Sequence, residues 1–354
     1  MKPIFQLSLT GFIALLFFTG CVKDIDFKGE IIQPLLVMNS FITPDSVLKA
    51  HISKSKFFLS SNETSVISNA DISVYINGQS EGKMAYIGNG FYELNHKPAV
   101  GDVVRFVVDA PNMKSVWSET PILPKVEILS VDTVGTVLDS FPIYRGGGYG
   151  IDEPMEEVGM QYRVDYRFHV KFKDPVGVNN YYRLMVYRKS LYSRDYYEYY
   201  SSNDMGPQYH YDYIELPAEP ESFYYDYNFN FDDIVATGNQ TELEIITGSY
   251  NLYNTFLDEL IDGKDYSLTF SVTGFKYRYF PDKKPDDFTP DEIHVDLQTV
   301  SKDYFYYLKT VEANDNNSGN PFAEPVQIYN NINDGIGILG AYTSNRREKI
   351  VISF

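Results

Sequence analysis

"QYRVDYRFHVKFKD", Gln161–Asp174, decides the fold class. Tyr162, Val164, Tyr166, Phe168, Val170 and Phe172 occupy alternate positions, with Arg163, Asp165, Arg167, His169, Lys171 and Lys173 between them. Successive side chains of a strand point to opposite faces, so the pattern predicts a strand with one buried and one wet face. A slip of one residue would exchange the two faces, which specifies the register strongly.

Beyond this strand, others are predicted at Tyr181–Tyr187, Thr241–Ile246, Tyr266–Thr273 and Gly335–Tyr342. Two segments change period. Leu252, Phe256, Leu257 and Leu260 have helical spacing and stop at Gly263, which predicts a short helix. Val300, Tyr304, Tyr307, Leu308 and Val311 predict another from about 301 to 313, with Ser301 as its N-cap. Before the strand, "TPILPK" (Thr120–Lys125) sets two prolines close together, and prolines interrupt ladders. That marks a boundary.

On the N-terminal side of the boundary, Leu48, Ala50 and Ile52 alternate with polar residues, as do Ile72, Val74 and Ile76. Asn77-Gly78 and Asn89-Gly90 are hairpin turns in waiting. The expectation is mainly β: an Ig-like or transthyretin-like β-sandwich over 35–120. A larger β-rich domain with two short helices follows over 125–354, carrying a tyrosine-rich insertion around 188–233.

Composition limits the partners. The formal charge is −18, from 48 acidic and 30 basic residues. That sign disfavours nucleic acid, whose phosphates need a basic surface. It equally disfavours electrostatic docking on anionic headgroups. Tyrosine and phenylalanine number 31 and 24, against one tryptophan, which suits half-buried pleated surfaces.

Catalytic signatures do not emerge. His51, His96, His169, His210 and His294 lack metal-ligand spacing, and no nucleophile elbow or phosphate loop is present. Asp232-Asp233 and Asp286-Asp287 read as solvated acids in polar loops, "PDKKPDDFTPDE" (Pro281–Glu292) and "NDNNSGN" (Asn314–Asn320) as ordinary polar loops, and "RGGGYG" (Arg145–Gly150) as a flexible one. The expectation is no catalytic residue, no metal and no cofactor, hence not an enzyme.

The stretch Tyr181–Asp233 holds 14 of the 31 tyrosines. Past its first residues it keeps no single period. Tyrosine combines a rigid apolar face with a hydrogen-bonding tip, which suits contact surfaces. Tyr192, Tyr196, Tyr197, Tyr199, Tyr200, Tyr209, Tyr211 and Tyr213 are therefore the candidate ligand- or partner-binding residues, with cross-strand pairing for stability as the alternative reading.

The N-terminus says where the protein lives. "LLFFTGCVKDID" (Leu15–Asp26) ends an apolar run of roughly 15 residues, about 22 Å of helix, too short for a hydrocarbon core of ~30 Å. With Lys2 before it, the run reads as an export signal over 1–20. The small residues before Cys21, the chain's one cysteine, resemble the lipobox of bacterial lipoproteins, although Phe18 stands where leucine is usual. The resemblance implies that Cys21 is lipidated and that 21–34 is a tether. Lys23, Asp24 and Asp26 are similar to the export signal that sends Bacteroidota lipoproteins to the outer face of the outer membrane.

Further along come "VKFKDPVGVNNYYRL", "SKDYFYYLKTVEAN" and "NPFAEPVQIYNNINDGIGILGAYTSN", in that order. Together with the lipobox they resemble an uncharacterised Bacteroidota lipoprotein family, domain of unknown function 4249, commonly encoded beside TonB-dependent receptors. The resemblance carries no established activity. It implies an outer-membrane, surface-exposed lipoprotein, a non-enzymatic accessory of a TonB-dependent transporter. A structural or adhesin-like surface module without such a partner is the alternative, and a surface hydrolase ranks behind both.

Overall fold

Strands of at most seven residues come first along the chain, and the longest, of 18 residues, come after the "TPILPK" boundary. The computed structural model describes residues 33–56, 66–145, 155–189, 192–200, 207–215, 224–225, 229–231, 233–235, 251, 253–280, 292–317 and 324–351. The first part holds β1 (Leu36–Ile42), β2 (Leu48–Lys54), β3 (Asp71–Ile76), β4 (Gln79–Lys83), β5 (Ala85–Gly88), β6 (Phe91–Leu94), β7 (Val103–Asp109) and β8 (Val116–Pro121). Next come β9 (Ile128–Arg145), β10 (Glu156–Lys173), β11 (Tyr181–Lys189), β12 (Tyr192–Tyr200), β13 (Pro207–Glu215), β14 (Tyr224–Tyr225) and β15 (Phe229–Asn230). The rest is β16 (Thr255–Leu257), β17 (Asp265–Tyr279), β18 (Glu292–Val300), helix α1 (Lys302–Asn317) and β19 (Ile336–Val351). All lie in one compact unit, Leu35–Ser55 with Asn62–Phe354, and the architecture is mainly β.

The hairpin turns form as their sequence dictates. Asn77 and Gly78 have φ of 52° and 80°, and Asn89 and Gly90 have 50° and 81°, the paired positive values of a two-residue turn. Alternation then fills a first core. Leu48, Ala50, Ile52, Ile72, Val74 and Ile76 are buried with Met38, Tyr92, Val104 and Phe106. This core lies between β1, β2 and β6 and the sheet ordered β4-β3-β7-β8.

The second core centres on β10. Val164, Tyr166, Phe168, Val170 and Phe172 are buried as the pattern requires, while Tyr162 packs at the margin. Phe168 is the register partner of Phe270 on β17, and their rings stack 4.7 Å apart at 2°. The sheet β15-β17-β10-β9 faces β11 and β18 across this core, with Leu184, Val186, Val295 and Leu297 opposite. Val126 already belongs to the second core and Ile122 to the first, so "TPILPK" separates two cores.

One strand serves both. A long sheet runs β14-β11-β18-β19-β1-β2-β6-β5, with β16 paired to β11. Residues 336–341 of β19 pair in parallel with β1, and residues 342–351 pair antiparallel with β18. Ile332, Leu339 and Ala341, from the far end of the chain, sit inside the first core.

Of the two expected helices, one forms as placed. Ser301 caps α1, its hydroxyl accepting from the Tyr304 N–H at 3.4 Å. The buried face is Tyr304, Phe305, Leu308, Lys309, Glu312 and Ala313, so Tyr307 and Val311 turn partly outward. The helix runs on to Asn317 and takes in the first part of "NDNNSGN", read from sequence as a loop. The other expected helix is a correction. Thr255–Leu257 is strand, paired with Tyr181–Arg183 of β11, and turns follow to Gly263. Asn251 explains the change: its side chain accepts from the Thr255 N–H at 2.9 Å and donates to the Thr255 carbonyl at 2.8 Å. Those backbone groups are then unavailable to a helix. Leu252 and the strand expected at Thr241–Ile246 lie outside the described residues.

Candidate functional site

Strands β12 and β13 form a two-stranded sheet of their own. Their register sets Tyr192 opposite Glu215, Arg194 opposite Tyr213, Tyr196 opposite Tyr211, Glu198 opposite Tyr209 and Tyr200 opposite Pro207. The intervening pairs are Ser193 with Ile214, Asp195 with Asp212, Tyr197 with His210 and Tyr199 with Gln208. Directly opposed residues of an antiparallel pair share one phase of the pleat. Tyr192, Tyr196, Tyr200, Tyr209, Tyr211 and Tyr213 therefore occupy one phase, and Tyr197 and Tyr199 the other. The structure brings all eight candidates onto one ribbon and divides them six to two. Cys21, and Tyr227 beyond the ribbon, lie outside the described residues.

A second cluster was not foreseen. Asp174, at the end of the β10 strand, has its carboxylate wholly buried. One oxygen accepts from the Tyr182 hydroxyl at 2.5 Å and the Asn180 amide at 3.4 Å, and the other from the Gly263 N–H at 3.0 Å. Asp258 accepts from the Asn180 N–H at 2.7 Å, and Asp262 from the Gly177 N–H at 2.8 Å. One oxygen from each of the three acids lies within 4.8 Å of the others. Oxygen donors at that spacing suit a hard cation, although calcium takes six to eight of them. Burial raises the Asp258 carboxyl above its ordinary value, offset in part by the Asn180 N–H and reinforced by the charge of Asp174. With protein donors already aimed at each acid, the cluster acts as a brace joining the loop after β10 to the loop before β17. These partners stand some 80 residues apart in the chain, so no local pattern announces them.

Asp233 corrects a second expectation. Read as a solvated acid, it is buried, and it accepts from the Tyr266 hydroxyl at 2.5 Å, the Thr269 N–H at 2.7 Å and the Thr269 hydroxyl at 2.8 Å. Strand β17 supplies all three, which holds the loop before Val235 on the sheet. Asp286 and Asp287 lie outside the described residues.

The third cluster lies on β18, where His294, Asp296 and Gln298 alternate with the core residues Ile293, Val295 and Leu297, and both sets are buried. Asp296 accepts from the Ser344 hydroxyl at 2.5 Å and the Gln298 amide at 3.1 Å. Desolvation raises its carboxyl, and Arg346 and Arg183 pull in the opposite direction. Arg346 lies 4.9 Å over the Tyr187 ring, while Arg183 donates to the Tyr304 hydroxyl at 3.0 Å. Arg183 thereby engages a phenol, and Asp296 a hydroxyl and an amide, from within the fold. His294 is buried, unlike His51, His96 and His169, which are half-exposed.

Comparison with known protein families gives a match. A family model described as "Domain of unknown function (DUF4249)" covers residues 22–348. No curated protein and no solved structure matches the chain. Among the described residues, no helix is long and apolar enough to cross a membrane.

Proposed function

The chain belongs to the family called domain of unknown function 4249, and from that premise we propose that it is a non-enzymatic, lipid-anchored accessory of an outer-membrane TonB-dependent transporter. The anchor in this reading is Cys21, and the contact element is the β12–β13 ribbon. One observation carries it: six tyrosines share a phase on a ribbon whose two strands pair with each other in a sheet of their own. A two-stranded ribbon is marginal by itself in water, and a partner laid against it would add burial. Rigid aromatic groups of this kind dominate interface energetics. The acids support a binding role over hydrolysis, because Asp174, Asp233 and Asp296 are each engaged by hydroxyl or amide donors of the fold.

The test is co-purification from membranes in mild detergent, with mass spectrometry of what is retained. The expected result is a TonB-dependent barrel retained by the native chain. Replacing Tyr196 and Tyr211 together by serine should weaken retention roughly tenfold, as loss of an interface hot spot does. Replacing Cys21 by serine should move the protein out of the envelope fraction. Recovery of the lipoprotein alone would overturn the partnership and favour a structural or adhesin-like role.

A further inference from the structure

The segment "NDGIGILGAY", Asn333–Tyr342, does more than close the chain. A Cβ on Gly335 would lie 2.7 Å from the Leu36 carbonyl oxygen and 2.8 Å from a Val116 methyl. One on Gly337, whose φ is +123°, would lie 2.1 Å from the Met38 carbonyl oxygen. Glycine at these positions lets β19 press against β1 with no side chain between. Asn331 then fastens the strand, accepting from the Leu339 N–H at 2.9 Å and donating to the Leu339 carbonyl at 3.0 Å. The preceding loop is stitched to the first sandwich. Asn333 and Trp117 exchange backbone bonds of 2.9 and 3.4 Å, and Lys114 pairs with Asp334 at 2.6 Å.

The result is a strand held on both edges. β1 pairs with β19 in parallel through six consecutive positions, Val37 with Ile336 to Ile42 with Ala341. On its other edge it pairs antiparallel with β2, from Leu36 with Lys54 to Asn39 with His51. Leu36, Met38 and Ile42 are at most 2% exposed, so the strand is also fixed in the core.

Direction now matters. In a parallel pair, the start of one strand and the end of the other point away from each other. Tension entering at the start of β1 and leaving through the end of β19 loads every backbone bond of the pair together, in shear. Tension between the start of β1 and the end of β2 instead peels an antiparallel pair from its open end, one bond at a time. From this geometry we propose that β1 and β19 form a mechanical clamp, in which the first strand after the tether carries load from the N-terminus into the whole long sheet. The source of that load, a lipid at Cys21, rests on the function proposed above. The clamp itself does not.

Single-molecule pulling on residues 21–354 tests it, with the protein made without export so that Cys21 is an unacylated attachment point. One arm pulls between Cys21 and the C-terminus, the other between Cys21 and a cysteine introduced as Lys56→Cys. The expected first unfolding force is higher in the C-terminal arm by roughly twofold or more at equal loading rate, because forced unfolding follows the barrier along the pulled direction. Gly337→Ala should lower the force in that arm more than in the Lys56 arm. Equal forces in the two arms of the native sequence overturn the clamp. Should Gly337→Ala fail to fold, the comparison of the two arms decides alone. Fractionation of Cys21→Ser tests the anchor separately, so failure of one reading leaves the other standing.

Discussion

Asp174 shows what single side chains do here. It gathers a phenol from β11 and an amide and a backbone N–H from two loops, and the phenol and the N–H would lose this acceptor without it. Buried donors left unpaired cost about 1–3 kcal/mol each, so Asp174→Ala should destabilise the fold by about 2–4 kcal/mol in urea titration. A loss under ~0.5 kcal/mol would show that the brace is incidental. Asp296 makes a prediction in pH. Its folded-state carboxyl lies above the ordinary value of 3.8, so the folded state holds its proton at pH values where the unfolded state has released it. Its contribution is fully present below the unfolded value and is lost as pH rises through the folded one. Asp296→Asn removes that dependence while keeping the shape. Relative to the native chain, the variant should therefore gain stability as pH rises from about 4 through the folded-state value. A difference between the two chains that is flat across this range would exclude a raised Asp296.

At the scale of elements, α1 and β16 began with the same helical spacing and ended differently. Ser301 makes the difference for α1. Its hydroxyl accepts from the Tyr304 N–H and also from the Ala341 N–H at 3.1 Å, so one residue caps the helix and holds β19. Ser301→Ala should cost about 1–2 kcal/mol, at the upper end for a cap because two donors lose their acceptor. Chemical denaturation measures it, and an unchanged midpoint would mean that water replaces the hydroxyl at both. Around β16, Asn251 and β11 claim the backbone first, and Phe256 and Leu257 serve strand packing instead while Leu260 is exposed. The tyrosines of the β12–β13 ribbon do not keep one period in sequence because β12 carries them in both phases, Tyr196 beside Tyr197 and Tyr199 beside Tyr200, while β13 carries its own in one.

For the whole molecule, β19 is the strand on which both cores depend. It contributes Leu339 and Ala341 to the first core and pairs with β18 beside the second. A chain cut after Asn317 should therefore lose the first sandwich too, despite keeping β1 to β8 intact. Amide hydrogen exchange in β3 and β7 measures this away from the cut, with protection expected to collapse to that of an unfolded chain. Persistent protection would show that the first sandwich folds alone. By itself the sequence determined the alternating strands β2, β3 and β10 with their buried faces, the places of β11, β17 and the start of β19, the Asn-Gly turns, the Ser301 cap and the division of cores at "TPILPK". Each of these depends on neighbours within a few residues, through alternation, turn geometry or capping. Tertiary structure alone decided that the last strand would lie beside the first, that Asp174 and Asp233 would be buried and that Thr255–Leu257 would be strand. Apart from Asn251, just before Thr255, and Asn180 and Tyr182, just after Asp174, the partners that set these outcomes lie tens to hundreds of residues away, and no local pattern carries that information.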